Sequence, residues 1–177
     1  MAMIEILILD ALMKRDFTMY AIQKHIKDYY ASLTNPSFGA IKPALTRLEE
    51  KGCLTCRKMM SDGGKLSGYY TITSKGKNEL CRLLLVNPGE NPLQFFSEAR
   101  IKLACSEYLS KEERKKLFFI LKSRALQHKN TAENTLNNEY TPLNFYQKII
   151  LDNVLCEYSN FITIVEGLEK DNARNSE

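Results

Sequence analysis

The feature that most constrains the fold is a pair of β-rich stretches joined by a glycine turn. Leu54–Met60 and Tyr69–Thr73 are rich in residues that favour strands. Between them, the segment Ser61–Lys65 contains two adjacent glycines, which can adopt the positive φ angles that tight turns need. The spacing therefore predicts a β-hairpin.

Three helical segments precede this hairpin. The first covers the apolar run Ile4–Met13, which is expected to be buried beneath other helices, and Thr18 can cap the second. The third starts at or just after Asn35–Pro36 and ends at Gly52, so that Pro43 lies in its early turns. Three helices followed by a hairpin form the winged helix-turn-helix arrangement, which places one helix in the major groove of DNA.

The pattern changes at Val86–Pro92, where two prolines, a glycine and two asparagines interrupt the helical periodicity. Beyond this break we expect a short helix over Leu93–Cys105. A capping box from Ser110 to Glu113 opens a long helix, and Thr141–Pro142 is expected to cap another. The predicted fold class is therefore mainly α, with an N-terminal winged helix-turn-helix (three helices plus β-hairpin) and a C-terminal helical dimerisation domain.

Dimerisation is inferred from the last helix, which is apolar on more than one face. Its own domain covers one side, so a partner chain is the natural occupant of the other. The alternative is internal packing in a compact antiparallel helix pair. The predicted interface residues are Tyr146, Ile150, Val154, Tyr158, Phe161 and Val165.

The predicted boundaries are 1–86 for the winged helix DNA-binding domain, 87–92 for a linker, 93–170 for the helical dimerisation domain and 171–177 for a disordered tail.

The charge is distributed unequally between the two halves. Residues 1–86 contain 13 Lys and Arg against 8 Asp and Glu, while the remainder contains 12 against 13, within a total of +4. A basic N-terminal half beside a nearly neutral C-terminal half favours contact with a polyanion, although a solvated surface with a mild lysine excess gives the same count.

The candidate DNA contacts are small residues and hydrogen-bond donors on the second and third helices and on the hairpin. The small residues let the third helix approach the duplex closely, and the basic residues reach bases or phosphates. These candidates are Tyr20, Lys24, Ser37, Gly39, Ala40, Lys42, Thr46, Arg47, Arg57, Lys58, Lys65 and Tyr69.

Three ordered motifs in this half resemble those of PadR-type regulators. Met19–Ile22 is similar to their Gly-Tyr-x-Ile. Ser37–Gly52 is similar to their Ser-x-Gly-Ser-Ile-Tyr-Pro-Ala-Leu-x-Arg-Leu-Glu-x-x-Gly, and Tyr69–Gly76 to their Tyr-Tyr-x-Ile-Thr-x-x-Gly. The C-terminal half resembles, in pattern more than in motif, the longer two-helix domain of the virulence-activator branch.

The resemblance implies a homodimer that binds an inverted repeat in duplex DNA, most often as a repressor. In many relatives a small aromatic or amphipathic effector releases the DNA. Lys42 and Ala40 replace the family's tyrosine and serine at the third helix, so the operator sequence cannot be carried over. A winged helix that acts as a protein-interaction adaptor without DNA affinity is the alternative.

Other kinds of chemistry have little support. The sequence contains no phosphate-binding loop, nucleophile elbow or dinucleotide fingerprint, so neither an enzyme nor a cofactor is expected. Cys53 and Cys56 have the spacing of a thiol pair, but zinc needs four ligands and His25 and His128 are the only histidines, so no metal is expected. The five scattered cysteines, the lack of a recognisable signal peptide and the lack of a membrane-length apolar run predict a cytoplasmic protein with no membrane partner.

Overall fold

The computed structural model describes residues 2–60, 64 and 66–174, and this part of the chain forms seven α-helices and one three-stranded antiparallel sheet. In chain order the elements are α1 (Ala2–Lys14), β1 (Phe17–Thr18), α2 (Met19–Tyr30), α3 (Phe38–Glu50), β2 (Leu54–Met60), β3 (Leu66–Ile72), α4 (Ser74–Leu84), α5 (Pro92–Ala104), α6 (Lys111–Leu136) and α7 (Phe145–Arg174). The mainly α fold class is confirmed. The chain divides into two compact units, residues 1–86 with 94–108 and residues 87–93 with 109–177.

α1 is the central helix of the first unit. It contacts α2, α3, α4 and β3, and its residues Ile6–Leu9 are fully buried. Such a position explains why this helix is apolar on nearly every face, because a helix surrounded by others has no side left for water. The predicted burial of the first helix is confirmed.

A buried carboxylate joins α1 to two other parts of this unit. The Asp10 carboxylate accepts hydrogen bonds from the Tyr30 hydroxyl at 2.8 Å and from the Tyr108 hydroxyl at 2.9 Å. These donors replace the water that Asp10 loses on burial. The Cys105 Sγ lies 3.5 Å from the Tyr30 hydroxyl, and burial raises the pKa of the Cys105 thiol to about 12, so this thiol stays protonated at neutral pH.

The sheet has the strand order β1-β3-β2. The predicted hairpin is present as β2 and β3, with Cys56 opposite Tyr70 and Met60 opposite Leu66. The two-residue strand β1 was not predicted, because its residues pair with Tyr69 and Tyr70, far away in the sequence. The predicted turn at 61–65 lies largely outside the described residues; Gly64, which is described, has the positive φ of 71° that the turn prediction required.

The first unit contains α5 from Gln94 onward, which the predicted boundary at residue 93 assigned to the C-terminal domain. The inward side chains Phe95, Ala99 and Ile101 are fully buried, and Lys102 is buried with them. The Lys102 ammonium donates a hydrogen bond to the Val86 carbonyl, and both residues belong to the first unit. The structure therefore differs from the prediction, because this helix belongs to the first unit from Gln94 onward.

The second unit is built on α6 and α7, which lie antiparallel. The Arg114 guanidinium near the start of α6 donates a hydrogen bond to the Asn172 side chain near the end of α7, at 2.8 Å. The predicted capping box of α6 is confirmed: the Ser110 hydroxyl accepts from the Glu113 backbone N–H, and the Glu113 carboxylate accepts from that of Ser110.

The start of α7 differs from the prediction of a cap at Thr141–Pro142. The helix begins at Phe145, and Asn144 and Gln147 cap it reciprocally through two hydrogen bonds of 2.9 Å. The far end also differs, since α7 continues to Arg174 through residues expected to be disordered. Residues 175–177 of that predicted tail lie outside the described residues. Across the described residues, no helix combines the length and apolar character that a bilayer crossing requires.

Candidate nucleic-acid interface

α3 presents one apolar face to the core and one polar face to solvent. Ile41, Leu45 and Leu48, spaced at helical intervals, are buried against the rest of the first unit. Lys42 and Thr46 lie one turn apart on the opposite, exposed side. The sequence pattern therefore predicted the exposure of Lys42 and Thr46 correctly.

The N-terminal end of α3 is lined by small residues. Ser37 is its N-cap residue, Ser37 and Gly39 are exposed, and Ala40 is half-buried. A Cβ added at Gly39 would meet the Ser37 Oγ only at 3.6 Å, so the chain itself has room for a larger residue there. The absence of a side chain at Gly39 therefore leaves room for another molecule to approach the backbone. The Thr46 hydroxyl donates to the Lys42 carbonyl at 3.2 Å, which leaves its oxygen able to accept.

Arg47 lies differently from the prediction. Its Nε donates a hydrogen bond at 3.0 Å to Oε1 of Glu5, a buried carboxylate on α1, and the Lys51 ammonium lies 3.6 Å from Oε2. Because a buried carboxylate needs a charged partner, the Nε of Arg47 is held at Glu5, while the side chain stays 36% exposed. We therefore regard Arg47 as a residue that fixes α3 on α1.

Two exposed aromatic rings meet beside the small end of α3. Tyr20, in the first turn of α2, is 69% exposed, and Phe38, the first residue of α3, is 39% exposed. Their ring centroids lie 6.4 Å apart with an angle of 22° between the planes, which is a stacked arrangement. Sequence reasoning selected Tyr20 but missed Phe38. The signal was present: Phe38, Lys42 and Thr46 are spaced by four residues and share the outward face.

The hairpin contributes basic residues near its distal end. Arg57 and Lys58 are exposed on β2, and Tyr69 on β3 is half-buried and lies opposite Arg57. Lys65, the predicted contact at the tip, lies outside the described residues. Three large apolar side chains next to the turn are also exposed: Met59, Met60 and Leu66.

The six predicted dimer residues on α7 fall into two groups. Tyr146 and Ile150 are 77% and 64% exposed, and Val154 is half-buried. In contrast, Tyr158, Phe161 and Val165 are buried within the single chain. The Tyr158 ring stacks on His128 of α6 at 5.6 Å, so α6 covers this part of α7. For these three residues the structure supports the internal packing alternative rather than the predicted interface.

Metal-binding side chains do not cluster in the part of the chain that the structure describes, where no three His, Cys, Asp or Glu residues are grouped to hold an ion. The thiol pair in the sequence is split: Cys53 is buried and Cys56 is exposed. Burial raises the pKa of the Cys53 thiol and so opposes formation of the thiolate that would bind a metal. The prediction that the protein needs no metal stays a prediction.

Comparison with known proteins was consistent with the motifs. Residues 8–82, less than half of the chain, match the model of the transcriptional regulator PadR-like family. This segment includes α2, α3, β2 and β3, which all belong to the first unit. No curated protein matches the chain.

Several solved structures are similar at low sequence identity. Bacillus subtilis PadR in complex with operator DNA is 21% identical, with 94% of this chain and 96% of that chain covered and a TM-score of 0.45. The same protein in complex with p-coumaric acid is 21% identical, with 97% and 96% covered and a TM-score of 0.41. A PadR family transcription regulator from Clostridium difficile R20291 is 26% identical, with 60% and 98% covered and a TM-score of 0.40. The likeness is therefore distant.

Proposed function

We propose that the chain is a PadR-like transcriptional regulator that binds an inverted repeat in duplex DNA as a homodimer. The observation that carries this proposal is the PadR-like segment at residues 8–82, whose third helix exposes a basic and small-residue face. Such a face can enter the major groove, while the apolar face anchors the helix to the core. Repression is the regulatory outcome that the resemblance favours.

The contacts divide into those that read bases and those that bind phosphates. Lys42, exposed in the second turn of α3, and the small residues around Gly39 are the base-reading group. Lys24 on α2 and the hairpin residues Arg57, Lys58, Lys65 and Tyr69 are the backbone-binding group, which supplies affinity that depends on salt. Ser37, Ala40, Thr46 and Tyr20 complete the contact surface. Arg47 is left out because its Nε is hydrogen-bonded to the buried Glu5 carboxylate.

The dimer contact is proposed for the N-terminal half of α7. Phe145, Tyr146, Ile149 and Ile150 form a continuous run of largely exposed apolar side chains. Covering one such side chain contributes roughly 1.5–3 kcal/mol. A second copy related by a two-fold axis covers the same surface on both chains and spaces two α3 helices for successive major grooves.

The regulatory ligand is the part of the proposal that rests on resemblance alone. We propose a small aromatic or amphipathic effector that binds the regulator and releases the DNA. Thermal unfolding of the purified protein with a panel of aromatic acids, amides and cations tests this, since a bound ligand raises the melting temperature by mass action. A panel without effect on melting or on DNA affinity contradicts it.

A salt titration of binding to random duplex DNA tests the proposal against the adaptor alternative. A DNA-binding protein loses affinity linearly in log[salt], because phosphate contacts release counterions, whereas an adaptor shows no measurable binding at any salt concentration. An operator can be selected from a random pool of duplexes with the full-length protein. On that operator, Lys42→Ala should weaken the binding free energy by roughly 1–3 kcal/mol and relax specificity at one position. Lys58→Ala serves as the matched lysine control, because it should weaken all sequences equally and reduce the salt slope by about one.

A further inference from the structure

The stacked pair of Tyr20 and Phe38 is an exposed apolar surface within an otherwise polar region. Single exposed apolar side chains are common on protein surfaces, whereas a contiguous apolar patch rimmed by polar residues is typical of a contact site, and the two stacked rings form such a patch. The pair lies at the N-terminal ends of α2 and α3, directly beside the exposed face of α3. It is therefore continuous with the proposed DNA-binding surface.

The charges around the pair identify the kind of partner. On each helix an exposed lysine follows the aromatic residue by one turn: Lys24 follows Tyr20, and Lys42 follows Phe38. The first turns of both helices contain no acidic residue in the sequence. An apolar surface flanked by two lysines is complementary to a partner that presents an apolar group beside negative charge. In the major groove of DNA that group is the 5-methyl of thymine, which lies between the two phosphate backbones.

The stacking gives Phe38 a fixed direction. A free aromatic side chain loses rotamer entropy when it docks, and part of that loss is avoided when a second ring already holds it. Phe38 is the first residue of α3, and this end of a recognition helix is the part that approaches base edges. Tyr20 then acts as a positioning residue, and Phe38 as the residue that makes the contact.

We propose that Phe38, held by Tyr20, reads the 5-methyl group of a thymine in each half-site of the operator. This inference rests on the proposed function and adds a specificity contact that uses van der Waals packing rather than a hydrogen bond. The expected difference in affinity between duplexes with and without this methyl group is small and can be calculated. Burial of one methyl group is worth about 0.8 kcal/mol, which corresponds to about a fourfold change in affinity.

The test replaces single thymines with deoxyuridine, which removes only the methyl group. Duplexes that bind tightly are first selected from a random pool with the full-length protein. Each thymine is then replaced in turn, and the dissociation constant is measured at one fixed salt concentration. The wild-type protein should lose about fourfold in affinity at one position per half-site. Phe38→Ala should bind the thymine and uracil duplexes equally at that position.

Three further variants make the result decisive. Phe38→Leu keeps an apolar side chain and should retain part of the thymine preference, while Phe38→Gln, which is polar, should lose it. Tyr140→Ala removes an exposed ring outside the first unit and should keep the full wild-type ratio. Melting curves check that each variant is folded.

Two results overturn the inference while leaving the proposed function intact. In one, the wild-type protein binds a selected operator tightly but tolerates uracil at every thymine. In the other, Phe38→Ala keeps the wild-type ratio, as expected if the pair docks a protein instead. A folded wild-type protein that selects no duplex at all overturns the proposed function itself.

Discussion

Substitution of Arg47 separates two roles that the third helix allows. If Arg47 fixes α3 on α1, Arg47→Met removes the 3.0 Å hydrogen bond to the buried Glu5 carboxylate while keeping most of the apolar stem. A hydrogen bond to a charged group contributes about 1.5–3 kcal/mol to stability. Removing every partner of a buried charge lowers the stability by about 3–5 kcal/mol. Lys51 remains 3.6 Å from Glu5, so the lower range applies. We expect a loss of about 2 kcal/mol in the free energy of unfolding.

Urea denaturation and thermal melting measure this loss. For a chain of this size, about 2 kcal/mol lowers the melting temperature by roughly 4–8 °C. Glu5→Gln provides the matched variant, and the double variant Glu5→Gln/Arg47→Met closes a thermodynamic cycle. Because the two residues are in contact, the cycle should give a coupling energy of about 1–2 kcal/mol rather than additivity.

DNA binding of the same variant supplies the refutation. Measured where both proteins are fully folded, Arg47→Met should leave the slope of log affinity against log[salt] unchanged. Loss of a phosphate contact would instead lower that slope by about one. If Arg47→Met has the stability of the wild type but a reduced slope of log affinity against log[salt], the structural role is refuted and Arg47 is a direct DNA contact.

Three other substitutions test the packing, the electrostatics and the proposed dimer. Gly76→Ala would place a Cβ 2.2 Å from the Cys53 carbonyl oxygen, so the free energy of unfolding should fall by about 3 kcal/mol; an unchanged urea midpoint contradicts this. Burial lowers the pKa of Lys102, so just below pH 10.5 the unfolded chain binds more protons than the folded chain. The free energy of unfolding of the wild type relative to Lys102→Met should therefore rise with pH toward 10.5; a flat difference contradicts this. Ile150→Glu should give monomers by light scattering because it puts a charge in the proposed interface. Lys148→Glu, a new negative charge at an exposed position on the opposite side of α7, should not; equal masses for the two variants count against this interface.

Local signals in the sequence were sufficient for most of the elements. The strand β2 has the predicted bounds, and Thr18 caps α2 by accepting from the Ala21 backbone N–H at 3.2 Å. The inward and outward faces of α3 also follow from its periodicity. These features depend on neighbours within one or two turns, and such neighbours are visible in the sequence. The start of α7 was missed although its signal was local, because Thr141 and Asn144 are both capping residue types and only Asn144 has a glutamine three residues later.

Features that depend on distant neighbours were decided by the tertiary structure. Helical spacing puts Arg47 within reach of solvent, but its partner Glu5 lies on another helix, 42 residues earlier. The pattern of α5 marks a helix without indicating which unit buries it. The apolar stripe of α7 is continuous in sequence, yet the chain itself buries Tyr158 and leaves Ile150 exposed. A stripe has the same period whether a helix of the same chain or of a second chain covers it, so only the position of α6 distinguishes the two.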